Sequence, residues 1–305
     1  MQQPLVSIIS INYNGLEHTL GMLKSFKQIN YPNLEYIIVD NASKEDPSPI
    51  LEAYPEVILV RNPINEGFAG GNNRGMEVAK GEYFYLINND TEVFPNSIDA
   101  LLKRAQSDRK VGLLCPKILY FDAPDTIQYA GYTPISKLTG RGTAIGYMEK
   151  DKGQHNQARI TALAHGAAMF IPRSVVEDVG MMAELYFLYY EELDYCERIK
   201  KAGYEIWYEP ASAILHKESM SVGKKSLLKT FYMSRNRWVF LRRNIEWPVF
   251  LITLLYYYLI AVPKNTLFLV FRGDTDHAKA YLNGFFNTFT IKDLHANPEL
   301  KPLKK

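Results

Sequence analysis

At 305 residues with 47% hydrophobic content, the chain is long enough for one large α/β domain plus a C-terminal appendage, and bulk disorder is excluded. Its formal charge of +2, with no arginine-rich tract or aromatic-interleaved basic stripe in the first 220 residues, argues against nucleic acid as a partner. Only Cys115 and Cys196 are present, neither in a close pair nor at zinc-site spacing, which fits a reducing compartment with both thiols packed.

The N-terminus enters strand-like sequence by Leu5 with no basic or apolar leader, so the catalytic part is expected to stay in the cytoplasm. β-branched runs at 5–11 and 36–39 end in polar loops and flank a stretch, 17–30, with Leu20, Leu23 and Phe26 at helical spacing. Strands over 57–60 and 83–87 bracket a helix over 69–80, and 111–115 is a fifth apolar run. Strands alternating with helices imply a doubly wound, mostly parallel, Rossmann-like sheet whose ligands lie beyond the strand carboxyl ends. Asn12, Asp40 and the triplet Asn88-Asn89-Asp90 all fall on that rim.

Residues 137–159 are Gly-, Lys- and polar-rich without sustained periodicity, and predict a mobile loop of the kind that covers a site. Apolar alternation returns over 161–172, 191–201 read as a helix stopped near Gly203, and 205–216 resemble two short strands. Residues 247–262 then carry no charge, Pro263-Lys264 ends the run, and 266–271 are apolar again. Spanning a bilayer takes about 20 apolar residues, so this stretch falls short. Arg235, Arg237, Arg242 and Arg243 before it, Lys264 and Arg272 after it, and Tyr256-Tyr257-Tyr258 within it predict a helix lying in an anionic membrane face. The alternative is a helical hairpin packed on the main domain or on another subunit. The expected division is 1–223, with halves 1–115 and 116–223, followed by a helical region over 224–305.

Several polar positions can carry chemistry. Asp40 can accept from a base imide or ribose hydroxyls, although Asp and Asn are also ordinary turn formers and caps. A dinucleotide fold would place G-x-G-x-x-G after the first strand, and here that turn, from Asn12 through Asn14 to Glu17, holds one glycine. The turn from Asn65 to Gly75 opens a helix with four glycines, including Gly67 and Gly71, and with Asn72; small residues and free N–H groups at a helix start suit phosphate, or simply a flexible entry. Asp90 suits a hard cation such as Mg2+ or Mn2+ when a diphosphate completes the shell, with Asn88 and Asn89 orienting water or phosphate; the same triplet can serve as a plain turn. His216 can be a second metal ligand or a satisfied loop residue.

The run Glu191-Glu192-Leu193-Asp194 puts three carboxylates in a first helical turn, where they also complement the helix dipole. Glu191 and Asp194 are i,i+3 neighbours and Arg198 follows Asp194 at i+4, so these three are expected to form a structural ion-pair set. Glu192 points away from it, toward Cys196 and Ile199, and is the better proton acceptor: a carboxyl without a cation partner near apolar neighbours has its pKa raised toward neutrality.

Residues 6–14, Val39-Asp40-Asn41-Ala42-Ser43, the turn from Asn65 to Gly75, Asn88-Asn89-Asp90, His165-Gly166-Ala167-Ala168-Met169, Glu191-Glu192-Leu193-Asp194 and Leu215-His216 together resemble, in order and over residues 4–243, the motifs of family 2 inverting glycosyltransferases with a GT-A fold. The resemblance implies that Asp40 contacts the nucleobase, that Asn12, Asn14, Gly67, Gly71, Asn72, Asn88, Asn89 and Gly166 belong to the nucleotide-sugar site, and that Asp90 closes the D-x-D equivalent with His216 helping to hold the metal. Glu192 stands where the family has the Asp that serves as base, and its extra methylene leaves Glu191 as the alternative. The first D-x-D acid is Asn88 here, leaving one carboxylate. Arg141-Gly142 with Asp151-Lys152-Gly153-Gln154 is similar to a pattern in the rhamnosyltransferase-like branch that builds bacterial surface polysaccharides, which points to dTDP-rhamnose.

The expected activity is therefore a metal-dependent, inverting sugar transfer from a nucleotide diphosphate to a saccharide or lipid-linked saccharide at the inner face of the cell membrane, by a chain compatible with a homo-oligomer. The rivals are a sugar-phosphate nucleotidyltransferase, which wants a Gly-rich basic loop after the first strand, and a non-catalytic, membrane-bound glycan-binding scaffold.

Overall fold

The computed structural model describes residues 3–217, 226–291 and 294. The N-terminal half alternates as expected: β1 (Val6–Asn12), α1 (Leu16–Phe26), β2 (Leu34–Asp40), α2 (Pro49–Ala53), β3 (Val57–Arg61), α3 (Gly67–Val78) and β4 (Tyr83–Ile87). There follow β5 (Thr91–Val93), α4 (Ser97–Ala105), β6 (Val111–Tyr120), β7 (Ala123–Tyr129), β8 (Arg159–Ile160), β9 (Ala168–Pro172), α5 (Arg173–Val179), α6 (Glu191–Lys201) and β10 (Glu205–His216). The C-terminal part is helical, with α7 (Leu227–Asn244), α8 (Trp247–Tyr256), α9 (Val262–Phe271) and α10 (Thr275–Asn287). The tail beyond residue 294, expected to belong to this helical region, lies outside the described residues.

One sheet runs in the order β3-β2-β1-β4-β9-β6-β10-β5, with β7 added to β6 and β8 to β10. β1 pairs in parallel with β2 and β4, and β2 with β3, so the carboxyl ends that carry Asn12, Asp40 and the triplet after Ile87 share one rim. Beyond β4 the sheet is mixed: β9 runs antiparallel to β4 and β6, and β10 antiparallel to β5. The sequence could not announce this reversal, because β9 is a buried apolar run and burial on both faces carries no mark of direction.

Three local expectations change. Residues 205–216 form one strand and not two; the register slips between Glu209 and Ala213, where Pro210 has no N–H for the ladder. The segment 137–159, expected as a mobile loop, is laced back onto the chain before it: Ala130 donates to Ile145 and Ile145 to Gly131 (2.9 and 2.8 Å), Met148 donates to Ile127 and Ile127 to Glu149 (2.9 and 2.8 Å). The buried Lys117 ammonium, bonded to Asp151 at 2.7 Å and Asn156 at 2.5 Å, fastens its far end. Finally, the apolar stretch is not ended by Pro263. A π-helical turn over Tyr257–Ala261 joins α8 to α9, and Pro263 follows directly on that turn, whose wider bonding accommodates the missing N–H. The result is a continuous 25-residue helix, Trp247–Phe271, whose length and composition alone suffice to cross a membrane.

That helix has two different faces. Thr253, Tyr257, Ala261 and Val262 are buried against the protein, with the Tyr257 hydroxyl donating to Thr139 O (2.7 Å) and Thr253 Oγ1 to Lys137 O (3.1 Å). Ile252, Leu255, Leu259 and Phe271 face outward, the last 86% exposed. The arginines before it do not flank a membrane face as expected. Arg237 and Arg243 are buried, Arg235 bonds to Leu185 O, and Arg242 to Thr288 O, because α7 is part of a core. This second core joins Tyr186 and Tyr190 to Trp238, Phe240, Tyr257 and Phe285, across the boundary expected near residue 223. The boundary expected at residue 115 lies inside β6.

α3 is held close to the sheet by glycine. A Cβ on Gly75 would collide with Ile9 Cγ2 on β1, and Ile9 is fully buried and β-branched, with no room to turn aside. Gly75→Ala should therefore lower stability by about 1–3 kcal/mol despite alanine's better helix propensity. A urea midpoint equal to or above that of the unsubstituted chain would contradict this packing.

Candidate functional site

The seam between β5 and β10 assembles the first part of the site. His216 lies opposite Thr91 in the antiparallel register, and Lys217 N donates to Asp90 O (2.9 Å), so the backbone ladder brings Asp90 and His216 together from positions 126 residues apart. Asp90 Oδ1 and His216 Nε2 stand 3.2 Å apart, both buried, and neither makes a hydrogen bond. His216 Nδ1 is 2.8 Å from Gln128 Oε1 on β7. An N–H on Nδ1 donating there turns the Nε2 lone pair toward the carboxylate, an arrangement that asks for a cation or a proton between them.

Burial disfavours the charged form of Asp90, but a proton between it and His216 outweighs that and holds the carboxyl below its usual range, with His18 adding to the effect. His165, its ring centroid 5.9 Å from that of His216, is pushed down to about 3, by burial first and then by His216, and so stays neutral. An oxygen and an imidazole nitrogen, orphaned side by side and oriented from behind, fit a divalent cation with a hard oxygen preference. Two side chains are a partial shell: no group of three His, Cys, Asp or Glu that could hold a metal occurs among the described residues. A bound diphosphate would have to supply the remaining ligands.

The rim beside this pair is a network of amides. Asn12 Nδ2 donates to Asp40 Oδ1 (2.8 Å), Ser43 N to Asp40 Oδ2 (3.1 Å), and Asn14 Oδ1 accepts from Lys44 N (2.8 Å). Thr19 Oγ1 donates to Asn12 Oδ1 (2.9 Å) and accepts from Asn89 Nδ2 (3.0 Å), so Asn89 ties the end of β4 to the start of α1 and turns away from the open rim. Asn88 is held by its backbone, with N donating to Ala167 O (3.0 Å) and O accepting from Thr91 Oγ1 (2.7 Å). Asn72 bonds Phe68 O within its own helix, and a Cβ on Gly71 would meet Ile11, so both serve α3 and its packing on β1. Gly67 is different: its φ is +72°, and a Cβ there would overlap the carbonyl of Phe187, to which Phe68 N donates (2.7 Å). It joins this turn to the segment that leads into α6.

That segment is strained. Phe187, Tyr189 and Tyr190 all have positive φ (64°, 69° and 75°), and Leu188 N bonds back to Tyr186 O, closing a γ-turn of the rarer hand. Its backbone is clamped from α7, where the fully buried Asn236 donates through Nδ2 toward the carbonyls of Tyr186, Leu188 and Tyr189 at 2.8, 2.7 and 2.9 Å. Just past the strain α6 begins, presenting Glu191 and Glu192. The expected ion-pair set loses Glu191: Asp194 pairs with Arg198 (3.3 Å) and with Arg243 of α7 (3.0 Å), and also holds Asn244 and the Tyr186 hydroxyl. Two guanidinium groups already flank Asp194, while Glu191 turns into the interior with Oε2 unbonded. Arg198 is structural, capping Val179 O and Met181 O.

Glu192 Oε2 is likewise buried without a hydrogen bond, and its Cγ lies beside Gly166 and Phe68, bringing Gly166 into the site. Burial pushes the Glu192 carboxyl up to about 7. The Glu191 carboxyl goes well above its ordinary value, from burial first and then from the charge of Glu192. Tyr132, whose hydroxyl feels the Glu192 charge, stacks on His165 at 6.4 Å between ring centroids, and the row Glu192, Tyr132, His165, His216, Asp90 lines one rim. Gln128, Tyr132, Asn236 and the Asn41 amide, which spans Asn62, Asn65 and Gly67, were not singled out from sequence. The signal for Gln128 is an amide between Ile127 and Tyr129 at the buried end of β7.

The sequence matches the family model for Glycosyl transferase family 2 over residues 7–180. It is 24% identical over 243 residues to the low-salt glycan biosynthesis hexosyltransferase Agl10 of Haloferax volcanii, covering 77% of this chain and 74% of that protein. It is 23% identical over 265 residues to the N-acetylglucosaminyl-diphospho-decaprenol L-rhamnosyltransferase of Mycobacterium tuberculosis, covering 80% and 86%. The fold matches the mannosyltransferase PcManGT of Pyrobaculum calidifontis, solved with GDP-Man and Mn2+, at a TM-score of 0.59 and 14% identity over 96% of this chain and 89% of that one.

Asn236→Asp keeps the shape of the clamp and replaces its donor by a carboxylate facing three carbonyl oxygens. We expect a loss of about 2–4 kcal/mol in chemical denaturation, from the lost bonds and an unpaired buried charge. Unfolding at the denaturant concentration of the unsubstituted chain would show that the strained turn holds itself.

Proposed function

The chain belongs to glycosyl transferase family 2 and is a glycosyltransferase of GT-A fold, and from that premise we propose a metal-dependent, inverting transfer of rhamnose from dTDP-rhamnose to a lipid-linked saccharide at the cytoplasmic membrane face. The observation that carries the chemistry is Glu192: a half-buried residue whose Oε2 is buried and unbonded and whose carboxyl is pushed up to about 7, linked through Tyr132 and His165 to the Asp90 and His216 pair. A base of that pKa can take a proton near neutrality and hold it through the bond-making step. The acceptor hydroxyl oxygen bonds to the anomeric carbon, its proton passes to Glu192, and the bond from the anomeric carbon to the diphosphate breaks with its electron pair leaving on the nucleotide. Glu191 turns farther into the interior, where burial and the Glu192 charge raise its carboxyl well above the ordinary value, which makes it the poorer candidate for the base.

Asp90 and His216 would hold Mg2+ or Mn2+, which when bound offsets the negative charge of the departing diphosphate. Gln128 fixes the His216 ring, and Asn12 with Ser43 fixes the Asp40 carboxylate at the end of β2, where it is placed to receive the base. Asn14, beside Ser43, and Asn88, between the ends of β4 and β9, would meet the sugar and phosphates in this reading. The mycobacterial relative is named for moving L-rhamnose to a saccharide on diphospho-decaprenol, which supports this choice of sugar and acceptor class, and the haloarchaeal one is named a hexosyltransferase of glycan biosynthesis, which supports a role in glycan assembly. The outward apolar face of Trp247–Phe271 supports the membrane surface as the place of work, with the opposite face fastened to the protein so that the helix lies along the interface.

In a thermal-shift panel of dTDP, UDP and GDP, each with and without Mn2+, dTDP with Mn2+ should raise the melting temperature most. A panel in which no nucleotide stabilises the chain under either condition would remove the proposed donor site. Glu192→Gln should lower the transfer rate by roughly 10²–10⁴-fold while nucleotide stabilisation persists, and turnover within twofold of the parent would refute the base.

The same group sets a pH dependence. The free-enzyme rate should rise with pH to about 7 and level off above it as Glu192 becomes ionised. Because its folded pKa lies above the unfolded value, Glu192 contributes least to stability at high pH: the contribution is present below about 4.5 and lost as pH rises through 7. Glu192→Gln should thus stabilise the fold at pH 8 more than at pH 5, and equal effects at the two pH values would contradict the raised pKa.

A further inference from the structure

The helical end of the chain holds a cavity of about 340 Å³ among α7, α9, α10 and the segment around Arg141, away from the rim that carries Asp90 and Asp40. Its volume falls in the range of about 300–1,000 Å³ typical of small-molecule sites. Arg141, Lys229 and Arg237 line it, with Thr230, Asn265 and Tyr281 as polar neighbours. None of the three cations has a carboxylate partner among the described residues. Lys229 lies over the Tyr189 ring at 5.7 Å, and Arg237 donates through Nε to the Tyr190 hydroxyl at 2.8 Å.

Arg237 is the informative one. It is only 9% exposed, and its neighbours are the phenols of Tyr190 and Tyr257 rather than carboxylates. A buried guanidinium with no carboxylate counter-charge is costly, and its planar fork is suited to phosphate oxygens. The remaining wall is apolar: Phe268 and Leu269 of α9 border the cavity, and the outward face of that helix continues from it through Leu267 and Phe271. Anion-seeking donors and an open hydrocarbon-seeking helix meet at one place, so the ligand that satisfies both is an amphiphile with a phosphorylated end.

We propose that this cavity binds the phosphate or diphosphate group of a prenyl-linked acceptor, with the prenyl chain lying along α9. The assignment rests on the proposed transfer to a lipid-linked saccharide and supplies its acceptor subsite. Arg237 reaches Tyr190 and Lys229 reaches Tyr189, the two residues immediately before Glu191-Glu192, so a phosphate seated here is tied through the strained turn to the proton acceptor. The Tyr190 hydroxyl also donates to Gly140 O (3.0 Å), joining the segment that bears Arg141 to the same turn.

The test is co-sedimentation of the full chain with phosphatidylcholine vesicles carrying polyprenyl diphosphate, compared with vesicles brought to equal charge by phosphatidylglycerol. The parent chain should bind the polyprenyl diphosphate vesicles about tenfold or more tightly than the charge-matched ones, an advantage that inorganic pyrophosphate reduces by competition. An Arg141→Ala, Lys229→Ala variant with an unchanged melting temperature should lose that advantage and keep its binding to phosphatidylglycerol through the apolar helix. Equal binding of the parent chain to both vesicle types, or full retention of the preference in the double variant, would overturn the proposal. Neither readout needs donor or turnover, so a chain that binds nucleotide and transfers sugar without this preference refutes the cavity alone, whereas failure of nucleotide stabilisation refutes the transfer reading.

Discussion

The antiparallel seam of Thr91–Val93 against the end of β10 forces two buried polar atoms, Asp90 Oδ1 and His216 Nε2, to within 3.2 Å without a hydrogen bond to either. Neither could remain there in a purely structural role without expense, since an unpaired buried carboxylate oxygen carries its full desolvation cost. The surrounding elements hold the pair in place: β6 lies between β10 and β9, β7 brings Gln128 behind the imidazole, and His165 stands alongside as a neutral ring. One carboxylate and an imidazole from a strand more than a hundred residues away are brought together there, and in the proposed reading any cation affinity would depend on how well the seam keeps its register.

The other half of the site is held by a different force. Three residues with left-handed backbone lead into Glu191 and Glu192, and their conformation is maintained by Asn236 and by the aromatic core of α7, α8 and α10. The C-terminal helices are therefore not a detachable anchor. The helix Trp247–Phe271 and the turn that leads into Glu191 and Glu192 share one packed core, which includes Tyr190, Trp238 and Tyr257.

What the sequence revealed was local. The strands that end in Asn12, Asp40 and the Asn88-Asn89-Asp90 triplet, and the bounds of α6, follow from hydrophobic period and polar ends, and the ordered motifs led to the family that the match over 7–180 establishes. What it concealed was non-local. Asp194 finds Arg243 across 49 residues, which freed Glu191 from its expected salt bridge, and His216 finds Gln128 across 88. The arginines before the apolar helix read as a membrane flank because charge in a sequence carries no direction, and the fold turned four of them inward. Pro263 read as a stop because the π turn that accommodates it has no compositional mark.

The shared cation at Asp90 and His216 is tested most directly by isothermal titration of Mn2+ into nucleotide-saturated protein, for the parent chain, Asp90→Ala, His216→Ala and the double variant. If the two side chains hold one ion jointly, either single substitution should remove most of the affinity and the double should lose little more, giving a large coupling energy in the cycle. Independent, additive losses, or an Mn2+ affinity unchanged in either single variant, would contradict it.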